Sequence, residues 1–164
     1  MKRLALILTL GLTLFAAGRT PARHELANAE HTIDNAIQRK WIEDPIVLLG
    51  GTRAFYVDGF GVVMTAELNL VTGPSVNPFN PELKPETIAA YRKRKLDRLP
   101  QLRDLMATTL QQAKAWFPTL KEDEQIALGV QLYRYVWEDL AGFPSQIVWQ
   151  TSKKKDAPIK SQDN

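Results

Sequence analysis

The stretch that most constrains this chain is Ile46–Val71, two apolar runs rich in β-branched and aromatic residues that flank Asp58-Gly59. Asp-Gly suits a two-residue type I′ turn, because both central residues of that turn need positive φ. Such a turn makes residues whose numbers sum to 117 face each other across the ladder. One face then holds Val47, Leu49, Gly51, Arg53, Phe55 and Val57 opposite Leu70, Leu68, Ala66, Met64, Val62 and Phe60. That face is apolar except at Arg53, whereas the other carries Thr52, Thr65, Glu67 and Asn69. The reading is a long hairpin with one face in a core and one partly wet.

Around this hairpin the periodicity predicts two helices. From Arg23 to about Trp41, Leu26, Ala29, Ile33, Ile37 and Trp41 form one helical stripe, and Asp44-Pro45 ends it. From Pro85 to Phe117 the stripe is Leu102, Leu105, Met106, Leu110, Ala113 and Phe117, with Pro85 and Glu86 suited to the first turn. Pro100 removes an amide donor and predicts a kink or break near Arg98–Leu99. The connection Thr72–Pro81 is rich in turn formers and reads as a crossover from sheet to helix.

Glu124–Trp137 carries both helical and alternating spacing. Gly129 and the strand formers from Val130 onward favour a strand, paired through a loop with Gln146–Ser152. The expected fold class is therefore α+β: helix, hairpin, kinked long helix, hairpin. The two hairpins would form one antiparallel sheet covered on one face by the long helix.

The chain opens Met1-Lys2-Arg3 and runs apolar from Leu4 to Ala17, as secretory signals do. The run is shorter than the roughly 20 residues a membrane-spanning helix needs. Cleavage after Ala22 is preferred to cleavage around Ala16-Ala17-Gly18. The expected division is a signal peptide at 1–22, one α+β domain at 23–152 and a disordered basic tail at 153–164, with the product periplasmic or secreted. The chain has no cysteine, so it has no lipidated N-terminus, disulfide or thiol chemistry. Three of the 21 basic residues and none of the 18 acidic ones precede Arg23, leaving 18 of each. The basic character thus belongs to the leader and gives no reason to expect nucleic-acid binding.

The two histidines, His24 and His31, lie seven apart, about 10 Å along a helix axis, too far to share a zinc ion. Nucleophile–base catalysis has little material here, so no catalytic residue, metal or cofactor is assigned. Arg53 and Arg134 each fall in an apolar row, where a guanidinium either sits near an open end of the sheet and reaches water past its aliphatic stem or is paired with an acid or an anionic ligand. Glu67 with Glu138 or Asp139 is the candidate carboxylate pair. Arg92, Lys93, Arg94 and Lys95 cover nearly the whole circumference of a helical turn, so that turn is expected in water or against an anionic surface such as lipid headgroups.

The expected function is an exported, non-enzymatic binding or interaction module. Its partner would be an unknown macromolecule or a second copy, engaged through a sheet edge or the Tyr56/Trp149 surfaces. A carboxylate-dependent hydrolase of a glycan or anionic envelope substrate is the second reading. A membrane-surface protein using Arg92–Lys95 is the third and is not favoured.

Overall fold

The computed structural model describes residues 20–73, 83–138 and 141–164. The apolar leader, most of the proline-rich connection and Asp139 lie outside these residues. The order is α1 (Arg23–Lys40), β1 (Val47–Leu48), β2 (Arg53–Val57), β3 (Gly61–Asn69), α2 (Pro85–Trp116), β4 (Gln125–Leu132), β5 (Gln146–Ser152) and β6 (Lys160–Asp163). This is an α+β fold with a long helix on a six-stranded sheet.

α1 buries Leu26, Ala29, Ile33 and Ile37, four members of its expected stripe. α2 buries Leu99, Leu102, Met106, Leu110 and Ala113. It runs as one helix through Pro100, which faces solvent, instead of breaking before it. Burial of the leucines on either side offsets the roughly 3 kcal/mol that an interior proline costs a helix.

The strand order is β1-β3-β4-β5-β6, with β2 beside β3 on the edge that β1 begins. β4 and β5 pair antiparallel as the second expected hairpin, and β4 is a strand rather than a helix. The two hairpins, however, join through a parallel pair, β3 with β4, so the sheet is mixed and not antiparallel throughout. The cause is α2, which lies between them in sequence and returns the chain to run β4 in the same direction as β3. The chain end is also ordered where a disordered tail was expected: Lys160–Asp163 pairs antiparallel with Ile147–Gln150 as β6.

The first hairpin departs from the expected register by one residue, in one sense at β1, where Val47 pairs with Asn69, and in the other at β2. Asp58 keeps a negative φ and Gly59 takes φ 74°, the signs of a type II turn rather than type I′, and Phe60 N donates to Val57 O at 3.1 Å. Phe60 thus becomes a third loop residue, and Val57 pairs with Gly61 rather than Phe60. Gly61, at φ 127°, lies against β4, where a Cβ would come 2.1 Å from Gln125 O, so only glycine fits. Arg53 consequently faces Thr65 and not Met64. A shift of one exchanges the faces of the whole strand. Ala54 and Tyr56 therefore turn to the core, and Arg53, Phe55 and Val57 turn to the opposite side.

Both helices pack on one face of the sheet, α1 against β2 and α2 against β4 and β5. Val62, Met64, Leu68, Ile126, Leu128, Val130 and Ile147 are buried beneath them. Tyr56 and Trp149, expected as outer surfaces, are partly buried against this same core. α1 also closes the sheet edge at β2, where Thr52 N donates to Asp34 Oδ1 at 2.9 Å and Ala54 N to Glu30 Oε1 at 3.0 Å. Tyr56 Oη donates to Glu124 Oε1 at 2.6 Å, tying β2 to the start of β4. That bond, with partial burial, pushes the Tyr56 hydroxyl up to about 12. Burial works to raise the Glu124 carboxyl, but the Tyr56 hydroxyl and the Lys121 amide outweigh it and hold the group below its usual value.

Candidate functional site

With both helices on one side, the other side of the sheet is open among the described residues. Its outward residues follow from the register: Arg53, Phe55 and Val57 on β2; Val63, Thr65 and Glu67 on β3; Ala127, Gly129 and Gln131 on β4; Gln146 and Val148 on β5. At the centre is a shallow trough of about 610 Å³, lined among others by Gly51, Arg53, Thr65, Glu67, Gly129, Gln131, Gln146 and Val148. Its depth comes from Gly129, where a Cβ would fill the space 3.9 Å from both Thr65 and Val148.

Two charges flank the trough. Arg53 is exposed and Glu67 half-buried, and neither makes an ion pair or side-chain hydrogen bond among the described residues. As to the two expectations for Arg53, no acid pairs with it among the described residues, and the one-residue shift carries it to the open face, where its guanidinium reaches water. Phe55 and Val57 beside it are 47 % and 39 % exposed, so the open face is partly apolar.

The basic turn behaves differently from its expectation. Lys95 is buried, its Nζ 2.8 Å from both carboxylate oxygens of Glu138 and 2.8 Å from Tyr133 O. The ammonium also lies 5.0 Å from the Tyr91 ring centre and 5.8 Å from that of Phe143. Burial pulls Lys95 below the ordinary lysine range, against the opposing effect of Glu138. Four charges around a turn do not forbid burial when one has a fully buried partner and a carbonyl to satisfy it. Lys93 pairs with Asp97 at 2.7 Å, Arg94 pairs with Asp44 at 2.8 Å, and Arg92 donates to Ala141 O. The turn is therefore largely engaged within the protein, not a free cationic patch. Arg98, one turn on, is buried and donates to Leu70 O and to Asp44 O at 2.9 Å. Hydrogen bonds from Arg94 and Arg98 hold the Asp44 carboxyl below the usual range.

Around Lys95 the buried polar groups interlock. Tyr91 Oη donates to Val71 O at 2.5 Å, and Asn69 Nδ2 donates to Tyr135 Oη at 3.3 Å. Burial pushes the Tyr91 hydroxyl up, so it remains a donor. The Tyr135 and Trp137 rings stack at 5.1 Å.

The remaining expected residues scatter. Arg134 lies exposed just past β4, close enough for its charge to oppose that of Lys95. Asp139 is outside the described residues. Glu138 cannot pair with Glu67 as acid and base, because both its oxygens are held by Lys95 and it is absent from the trough that Glu67 lines. His24 and His31 are exposed on α1, and among the described residues no three His, Cys, Asp or Glu side chains gather as a metal site. Among those residues, no helix is long and apolar enough to cross a membrane.

Glu30 and Asp34 were missed as structural acids, although a signal existed. They fall at i and i+4 inside the apolar stripe of α1, where a solvated acid has no place. Lys95–Glu138 had no such signal, since no spacing rule links residues 43 apart.

The class defined by fold and surface is an α+β domain with a two-helix layer on one side of a mixed sheet and, among the described residues, a grooved open face on the other. No family model matches the chain, and comparison with curated proteins and with solved structures gives no match either.

Proposed function

We propose that the protein is an exported, non-enzymatic interaction module and that its working surface is the open face of the sheet. The observation that carries the reading is the glycine-floored trough flanked by Arg53 and Glu67, two opposite charges without partners among the described residues. A charge held at a sheet face without a partner is available to one from outside. Among the described lining residues of the trough Glu67 is the one carboxylate, whereas glycan hydrolysis needs two within about 10 Å, and this favours binding over hydrolysis. Export rests on the basic-then-apolar opening of the chain.

The test is site-specific photo-crosslinking in cells that export the chain, with the probe at Thr65 or Val148 on the open face and at Gln111 on the exposed side of α2. Covalent adducts are expected at Thr65 and Val148 and not at Gln111. No adduct at the two open-face positions, or equal adducts at all three, would refute the proposal.

A further inference from the structure

Opposite charges side by side on one face make that face complementary to itself. Thr65 stands directly across from Arg53, and Glu67 is two residues further along β3 on the same side. Arg53 and Glu67 are therefore diagonal neighbours, roughly 7–8 Å apart at the backbone. A two-fold axis lying between two such faces, perpendicular to that diagonal and over its midpoint, sets each arginine above the other copy's glutamate. The two ion pairs then form together, as an isologous interface requires.

From these relations we infer that the occupant of the open face is a second copy of this chain, packed sheet against sheet. The inference rests on the proposal that the open face is the working surface. Three further observations support it. Sheets stack at about 10 Å only when facing side chains interdigitate, and Ala127, Gly129 and Thr65 leave room at the centre. Beside them Phe55 and Val63 face each other across β2 and β3 and add apolar surface to the contact. From Arg23 onward the chain carries 18 basic and 18 acidic residues, so no net charge holds two copies apart.

The sheet edges are poorer routes to self-association. At β2 the amides of Thr52 and Ala54 are already bonded to Asp34 and Glu30. At the other edge, β6 is four residues long and carries Lys160 and Asp163, and short charged edges resist strand addition.

Sedimentation equilibrium of the protein purified after export, over a concentration series, tests the inference. The wild type should form a dimer. Arg53→Glu and Glu67→Arg should each weaken it by about tenfold or more, since each places like charges in contact at two symmetric points. The double variant R53E/E67R should restore it. Compared at a concentration low enough for every protein to be monomeric, all three variants should keep the wild-type melting temperature, because neither side chain has an internal partner among the described residues. A wild type that stays monomeric overturns the inference, as does a dimer indifferent to the single reversals or not restored by the double one. A monomer that still forms open-face photo-adducts with another molecule overturns the second copy alone and leaves the interaction surface standing.

Discussion

Lys95 keeps its ammonium out of water, at 1 % exposure, because Glu138 and the Tyr133 carbonyl supply acceptors within 2.8 Å. The cost of burying two ions is offset only while both are present. Glu138→Gln should therefore destabilise the fold by about 3–5 kcal/mol, and Lys95→Met by a similar amount. The double variant Lys95→Met/Glu138→Leu should recover most of that loss, because an apolar pair of similar volume needs no charge compensation. Urea midpoints of the four proteins check this, and a double variant no more stable than either single one would show that the pair does not act as a unit. The sequence could be read as far as the helical turn containing Lys95, but not to the direction each charge takes. Each partner is decided by what the fold brings alongside: Asp44 for Arg94, Asp97 for Lys93 and Glu138 for Lys95.

At the scale of elements, the helices and the strand character of β4 were legible because period and boundary signals are local. α1 ends at Lys40 and α2 at Trp116, each within one residue of its expected end. The register of the first hairpin was not legible, because Asp58-Gly59 fits two turns and the choice between them lies with Gly61 and its approach to β4, some 64 residues on in sequence. The pairing of β3 with β4 was likewise hidden, since either direction satisfies two apolar strands and only the crossover of α2 decides. A consequence of the observed arrangement is that α1 protects the edge at β2. Glu30→Ala leaves the buried Ala54 amide without its acceptor and should cost about 1–3 kcal/mol. In native-state hydrogen exchange the Ala54 amide should lose protection well before those of β4 at the sheet centre. Unchanged protection at Ala54 would mean that Glu30 is not its acceptor in solution.

For the whole molecule, the candidate site depended on the part of the fold that sequence reasoning reached least well. With the register that Asp58-Gly59 first suggests, Arg53 belongs to the core face and the open face is merely wet. With the observed register, Arg53, Thr65 and Glu67 share one uncovered surface, and the question of function becomes what covers it. The chain has no cysteine, so single cysteines can report the faces directly. The decisive measurement is the labelling rate of Phe55→Cys and Thr65→Cys against Ala54→Cys and Met64→Cys with a soluble thiol reagent, in dilute protein under native conditions. Fast labelling is expected at 55 and 65 and strong protection at 54 and 64. Protection at 55 and 65 with labelling at 54 and 64 would put the helices on the other face and contradict it.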